Sequence, residues 1–212
     1  MGLPMKACLF DWNGTLLDDM LIWHKTMKTI FKCFGKEPPT IACFFEELER
    51  YHGDYLVIYQ SRGVTLNKEQ LNELYGKTYR SMDYLARLSP NARQTLQQLK
   101  ARKIFLGLIT SQPEILTAPL LHRFGLVEIF HYLKFDCVNK SSAILDVLAQ
   151  ENIAPKECCY VGDSPSDIRH ANKAGVVSVA FINGHLAPEI LIATNPNFVI
   201  RNFSELLKLT QN

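Results

Sequence analysis

The sequence has no long hydrophobic run, no excess of one charge and no paired cysteine motif. No apolar stretch approaches the ~20 residues that span a bilayer, and residues 1–6 lack the apolar core of a signal peptide. Lys plus Arg number 23 and Asp plus Glu 21, so no basic field indicates nucleic acid or an anionic membrane surface. We therefore expect a cytoplasmic protein without a nucleic-acid or membrane partner.

The six cysteines are scattered and include no CxxC pair of the zinc-binding kind. Several fall in predicted strands, where neighbours such as Cys158 and Cys159 point to opposite faces. Reduced thiols, as in a cytosolic protein, are the expected state. With 212 residues and 47% hydrophobic content, the chain can bury a substantial core and suits one domain plus a sizeable insertion.

From Leu88 onward, predicted strands and helices alternate at short intervals. Apolar runs predict strands at residues 104–109, 133–138, 158–161 and 176–181, with a short edge strand at 198–200. Helices are predicted from Ser89-Pro90, from a capping box at residues 111–114, over 141–152, over 165–174 and from Ser204. Continuous apolar strands separated by amphipathic helices indicate an α/β fold with a doubly wound, Rossmann-like parallel sheet.

Residues 18–87 show helical patterns and no convincing strand. Apolar stripes over residues 23–34, 41–48 and 71–85 predict three helices, with Gly35 ending the first and Asn67 capping the third. The aromatic residues in these stripes fit a bundle core better than a cofactor site. We predict a core of residues 1–17 and 88–212 and an inserted all-helical cap of residues 18–87, which serves as a lid.

Three predicted strands end in side chains that carry oxygen atoms. Asp11 and the residues Trp-Asn-Gly-Thr follow the run at 7–10, Gly162 and Asp163 follow the run at 159–161, and Thr110 and Ser111 follow the run at 104–109. In an open α/β sheet, ligands bind at the carboxyl ends of the strands. These side chains are therefore expected to face one site.

This pattern resembles the haloacid dehalogenase superfamily of hydrolases with an aspartate nucleophile, and is similar to its phosphoglycolate phosphatase branch with an α-helical cap. The resemblance covers the whole chain. It implies that Asp11 is the nucleophile and a metal ligand, with the Asn13 carbonyl, Asp163 and Asp167 as further metal ligands. Mg²⁺ is the implied cofactor, because oxygen ligands beside a phosphate suit this ion. Asp167 has a second interpretation, since residues 164–167 also form a helix-start capping pattern.

Phosphoryl transfer requires donors and positive charge around three equatorial oxygens. The resemblance implies that Thr110 supplies a hydroxyl and Lys140 the ammonium group, with Lys134 as the competing lysine inside a strand run. Gly14 and the backbone amides beside it could form an anion nest. The remaining candidate substrate contacts are Ser111, which also suits a helix cap, and His52, in a predicted loop at residues 51–54.

Asn13 departs from the family pattern. Phosphatases of this superfamily commonly carry aspartate two positions after the nucleophile, where it protonates the leaving alcohol; asparagine cannot transfer a proton. General acid–base catalysis contributes about 10²–10⁴-fold. The expected function is a Mg²⁺-dependent phosphatase of small phosphorylated metabolites that acts through an aspartyl phosphate. The alternatives are a phosphonate-cleaving relative, a halide-cleaving relative and a catalytically weak phosphate- and metal-binding protein.

Overall fold

The computed structural model describes residues 5–51 and 53–210 of the chain. In this part of the chain the strands are β1 Ala7–Phe10, β2 Leu17–Asp18, β3 Arg87–Leu88, β4 Phe105–Ile109, β5 Tyr132–Lys134, β6 Cys158–Gly162, β7 Val177–Phe181 and β8 Phe198–Ile200. The helices are α1 Met20–Cys33, α2 Ile41–Arg50, α3 Tyr55–Ser61, α4 Lys68–Arg80, α5 Ala92–Ala101, α6 Glu114–Arg123, α7 Lys140–Gln150, α8 Pro165–Ala174, α9 Pro188–Ile192 and α10 Leu206–Leu209. None of these helices combines the length and apolar character that a membrane crossing requires.

The chain divides into two compact units, one of residues 1–18 and 87–212 and one of residues 19–86. The first unit contains a six-stranded sheet in the order β5-β4-β1-β6-β7-β8, and each neighbouring pair is parallel. Strands β1 and β6 are buried along their whole length, as expected for central parallel strands. The predicted doubly wound α/β fold is confirmed.

A second, two-stranded sheet, which was not predicted from the sequence, lies in the same unit. Strands β2 and β3 pair antiparallel, with Leu17 opposite Leu88 and Asp18 opposite Arg87. Each strand is two residues long, which is too short to produce a recognisable alternation of apolar and polar positions. The ribbon joins the two chain segments at which residues 19–86 begin and end.

The unit of residues 19–86 is built from helices α1 to α4. Its buried core contains Met27, Ile30, Phe31, Phe44, Ile58, Tyr59, Val64 and Leu71. The rings of Phe31 and Tyr59 stack with their centroids 4.9 Å apart. Asn67 and Gln70 form the predicted capping box at the start of α4, so that both backbone donors gain a side-chain partner. The aromatic stripes are therefore core residues of a helical bundle.

Three local predictions in the first unit are wrong. The strand predicted at 133–138 ends at Lys134, and Val138 is 81% exposed in the loop that follows. Ser89 does not cap a helix, because its hydroxyl donates to the Thr15 carbonyl and α5 begins only at Ala92. The predicted capping box at residues 111–114 does not form. Instead, the Glu114 amide donates to the carboxylate of Asp136.

Candidate active site

The order of the sheet brings the predicted strand-end residues to one edge. Phe10 lies in register with Leu108 on one side and Val161 on the other, so Asp11, Thr110 and Asp163 all follow neighbouring central strands. The Asp11 amide donates to the Val161 carbonyl at 2.9 Å, which continues the sheet pairing into the site. The Asp11 side chain is only 9% exposed. Its carboxylate is therefore held by rigid backbone in a place largely removed from water.

Lys140 is the cationic group of this site. It is the first residue of α7, and its ammonium donates to Asp11 Oδ1 at 2.6 Å and to Asp167 Oδ1 at 2.7 Å. Burial lowers the pKa of Lys140, but the two carboxylates outweigh burial and hold it well above its usual value. The competing candidate, Lys134, has an exposed side chain on β5. The structure thus brings Lys140, and not Lys134, to the predicted nucleophile.

Asp167 is held by hydrogen bonds at both carboxylate oxygens. Oδ2 accepts from the amide and hydroxyl of Ser164 at 3.2 and 2.6 Å, as part of the capping box that opens α8. Oδ1 accepts from Lys140 and, at 3.4 Å, from the Tyr160 hydroxyl. Burial raises the pKa of Asp167, but Lys140 and Ser164 outweigh it and bring the pKa below its usual value. The capping role predicted from the sequence is present at Oδ2, while Oδ1 of the same carboxylate anchors Lys140.

The site carries more negative charge than its lysine can balance. Oxygens of Asp11, Asp163 and Asp167 lie within 4.8 Å of one another, beside the Lys140 ammonium group. Burial raises the pKa of Asp11 to about 7 despite the opposing effect of Lys140. Burial and the nearby charge of Asp11 raise the pKa of Asp163 well above its usual value. Three carboxylates facing one ammonium fit a divalent cation, which would supply the missing positive charge.

Thr110 and Ser111 differ in what they can offer a ligand. Thr110 is buried, and its Oγ1 accepts from the Gln112 amide at 3.1 Å, which fixes the hydroxyl and leaves its proton for another acceptor. Ser111 is exposed. The predicted substrate contact at Ser111 stays a prediction. His52, the other predicted substrate contact, lies outside the described residues.

Gly14 adopts a conformation that an L side chain would strain. Its φ is +71°, and a Cβ at this position would overlap the carboxylate of Asp163. Only a glycine therefore lets the loop after β1 approach Asp163 so closely. The preceding residue, Asn13, is partly exposed and pairs with Leu17 in an isolated bridge. The loop that carries Asn13 is thus held in a defined turn.

Three further side chains, which were not predicted from the sequence, contact these carboxylates. Thr15 and Asn183 donate to Asp163, and Tyr160 donates to Asp167. Thr15 lies inside the motif already singled out, and Tyr160 is two residues before the end of β6. Asn183 follows β7, so a search for polar residues after every predicted strand would have found it.

Comparison with known proteins gives the family of this chain. The sequence model of haloacid dehalogenase-like hydrolases matches residues 8–181. The chain belongs to this family. Haloacid dehalogenase-like hydrolases use an aspartate nucleophile, and the matched residues include Asp11. The predicted family and hydrolase class are therefore confirmed.

Curated relatives and solved structures agree with this family. Phosphoglycolate phosphatase 1 of Pseudomonas aeruginosa is 26% identical over 95% of this chain and 78% of its own length. Phosphoglycolate phosphatase of Haemophilus influenzae is 27% identical over 99% of this chain and its whole length. A haloacid dehalogenase-like hydrolase from Streptococcus pneumoniae covers 98% of this chain and 99% of its own, with 21% identity and a TM-score of 0.79. The structural likeness shows a shared fold, and the two curated relatives support the predicted branch.

Proposed function

We propose that this hydrolase cleaves phosphate monoesters of small metabolites through an aspartyl phosphate on Asp11. The observation that carries this proposal is the contact of the Lys140 ammonium with Asp11 at 2.6 Å, with the Asp163 carboxylate beside it. A site that only bound anions would not place a carboxylate where the anion must sit. A nucleophilic carboxylate, however, needs neighbouring cations to bring a phosphate close.

Each residue then has a defined task. Asp11 attacks phosphorus, the bond from phosphorus to the leaving oxygen breaks, and the leaving oxygen takes a proton from water, because Asn13 cannot supply one. A second water then cleaves the acyl phosphate, which releases inorganic phosphate and restores the carboxylate. Lys140 neutralises charge on the transferring oxygens while Asp167 holds it in place. Thr110, whose hydroxyl oxygen accepts from the backbone amide of Gln112, donates a hydrogen bond to a phosphoryl oxygen.

We propose Mg²⁺ as the cation, held by carboxylate oxygens of Asp11 and Asp163 and by the Asn13 carbonyl. When bound, Mg²⁺ supplies positive charge that neutralises the phosphate and the developing charge of the reaction. Asp167 could also contribute an oxygen, as the sequence predicts. Its four hydrogen bonds favour a role in anchoring Lys140 instead.

A substrate screen tests the proposed activity. Phosphoglycolate comes first, because curated relatives are named phosphoglycolate phosphatases, followed by other phosphate esters, acyl phosphates and phosphonates. Each compound is assayed with Mg²⁺ and with EDTA, and Asp11→Asn serves as the inactive control. We expect release of phosphate that depends on Mg²⁺ and on Asp11. Turnover that persists in EDTA or in Asp11→Asn would contradict the mechanism.

Asn13 supports a second candidate, a weakly catalytic protein that binds phosphate and metal. If Asn13 occupies the general-acid position, Asn13→Asp should raise phosphorylation of Asp11 by alkyl phosphates by up to about 10²–10⁴-fold. Aryl phosphates release phenolates, which are weaker bases than alkoxides, so the rate at which they phosphorylate Asp11 should change little. The measurement is the single-turnover phosphorylation rate with one substrate of each kind. An equal change for both, or a loss for both, would show that Asn13 does not occupy that position.

We further propose that the helical unit of residues 19–86 is the cap that selects the substrate. The antiparallel ribbon of β2 and β3 supports this, since it ties together the two ends of the insertion. Hydrogen exchange with and without a phosphate mimic should change at residues 17–20 and 85–90. Unchanged protection at both segments would argue against a moving cap.

A further inference from the structure

Both oxygens of the Asp163 carboxylate accept hydrogen bonds from side chains. Thr15 Oγ1 donates to Oδ1 at 2.7 Å, and Asn183 Nδ2 donates to Oδ2 at 2.9 Å. The same nitrogen of Asn183 donates to the Gly14 carbonyl at 2.7 Å. Asn183 therefore joins the loop after β1 to the loop after β6, although it belongs to a third loop, after β7.

The orientation of the Asn183 amide follows from its neighbours. The His185 amide donates to Asn183 Oδ1 at 2.8 Å, so the oxygen must face His185. The Gly14 carbonyl accepts and cannot donate, so the nitrogen must face it, and the same nitrogen then donates to the Asp163 carboxylate. Only one of the two amide orientations satisfies all three partners. The side chain is fixed in a single conformation.

We propose that Asn183 is a positioning residue for the metal site, which holds Asp163 in the orientation that binds the divalent cation. The inference rests on the proposed function, in which Asp163 is a metal ligand. Asp163 lies close to Asp11, and repulsion between the two carboxylates favours rotation of Asp163 away from the site. The hydrogen bonds from Asn183 and Thr15 oppose that rotation. Partners of this kind typically change metal affinity by about 10–100-fold when they are removed.

The alternative is that Asn183 only stabilises its loop. Asn197 offers a matched control, because it is another loop asparagine that binds β7. Its Oδ1 accepts from the Ser178 amide at 2.9 Å and from the Ser178 hydroxyl at 3.1 Å. Ser178 lies near the beginning of β7 and Asn183 beyond its end, so Asn197 is remote from Asp163 along the strand. Truncating either asparagine removes loop hydrogen bonds, but only one of them touches the proposed metal ligand.

The experiment measures Mg²⁺ affinity by calorimetry and by the Mg²⁺ dependence of the melting temperature, with the full chain. The variants are Asn183→Ala, Asn183→Ser, Asn197→Ala and Asp163→Asn. The serine variant is included in case Asn183→Ala fails to fold. Serine keeps a small polar side chain, but this side chain is too short to reach both the Gly14 carbonyl and the Asp163 carboxylate. We expect both Asn183 variants to raise the dissociation constant about 10–100-fold. Asn197→Ala should stay within about twofold of the wild type, even though it lowers the melting temperature in EDTA.

Activity gives a second readout. In Asn183→Ala, excess Mg²⁺ should restore most of kcat, with KM for the phosphate ester unchanged. Wild-type Mg²⁺ affinity in both Asn183 variants, together with weak binding by Asp163→Asn, would overturn this inference and leave the proposed function intact. Failure of the wild type to bind Mg²⁺, or unchanged binding by Asp163→Asn, would overturn the proposed metal site and this inference with it.

Discussion

Replacing Asp163 with asparagine should make the protein more stable in EDTA and less stable in Mg²⁺ than the wild type. The asparagine keeps both existing hydrogen bonds. Its oxygen can accept from Asn183, and its nitrogen can donate to Thr15, whose hydroxyl can reverse its role. The substitution therefore removes a charge from the site while both contacts persist, although the Thr15 hydroxyl then accepts and no longer donates to position 163. Any change in stability reports the cost of that charge.

Two estimates give the size of this cost. Two unit charges at the 4.8 Å limit of the carboxylate cluster repel by about 3.5 kcal/mol at an effective dielectric constant of about 20. If one carboxyl takes up a proton instead, keeping a group of ordinary pKa ~3.9 protonated at pH 7 costs about 4 kcal/mol. Lys140 offsets part of either cost. We expect the variant to exceed the wild type by about 1–3 kcal/mol in EDTA.

Mg²⁺ should make the wild type more stable than Asp163→Asn. Binding to the native state alone adds about 4.1 kcal/mol at a ligand concentration of 1,000 times the dissociation constant, which exceeds the difference of about 1–3 kcal/mol expected in EDTA. The wild type should gain this stabilisation, while Asp163→Asn, with one ligand charge fewer, should gain little. Urea denaturation in EDTA and in Mg²⁺ measures all four free energies of unfolding. Asp146→Asn, a surface substitution on α7, is the control and should change either value by less than about 0.5 kcal/mol.

Either of two results would refute this reasoning. A loss of stability for Asp163→Asn in EDTA would mean that the hydrogen bonds from Thr15 and Asn183 depend on the full charge of the carboxylate. Equal stabilisation of both proteins by Mg²⁺ would mean that Asp163 does not bind the cation.

Two further predictions use other buried groups. Lys140→Met should lower the free energy of unfolding in EDTA by about 3–5 kcal/mol, because Asp11 and Asp167 lose their shared cation; a loss below 1 kcal/mol in urea denaturation would contradict this. In thiol labelling of the native protein, exposed Cys33 should react first and half-buried Cys43 more slowly, with the four buried cysteines protected until urea unfolds the chain. Rapid labelling of more than two thiols would contradict the buried positions.

Much of the fold was predictable because central parallel strands are continuous apolar runs. Strand β1 and helix α8 begin and end where the sequence places them, since the apolar run of β1 stops at Asp11 and Ser164-Pro165 opens a helix. Strand β5 is an edge strand of the sheet, and its sequence remains apolar at Val138, beyond the point where pairing stops. Apolar character alone could not show where pairing with β4 ends, because pairing depends on the neighbouring strand.

Capping signals failed where tertiary contacts offered better partners. Ser89 precedes proline, yet its hydroxyl donates to the Thr15 carbonyl, a residue 74 positions away. Asp136 takes the place of Ser111 at the start of α6, because the loop after β5 brings its carboxylate to the Glu114 amide. A serine or aspartate has the same local propensity in either setting. Which backbone group it binds depends on contacts between distant parts of the chain.

The same limit applies to the site, and it explains which residues were missed. Asp11 and Asp163 were predictable, since a carboxylate directly after a buried strand is unusual unless it serves a ligand. Lys140 was favoured over Lys134 because it opens a helix after a strand. No feature of the sequence singles out Asn183, because asparagine after a strand is also an ordinary turn residue. Its three hydrogen bonds, to Gly14, Asp163 and His185, distinguish it from a turn residue, and only the structure reveals them.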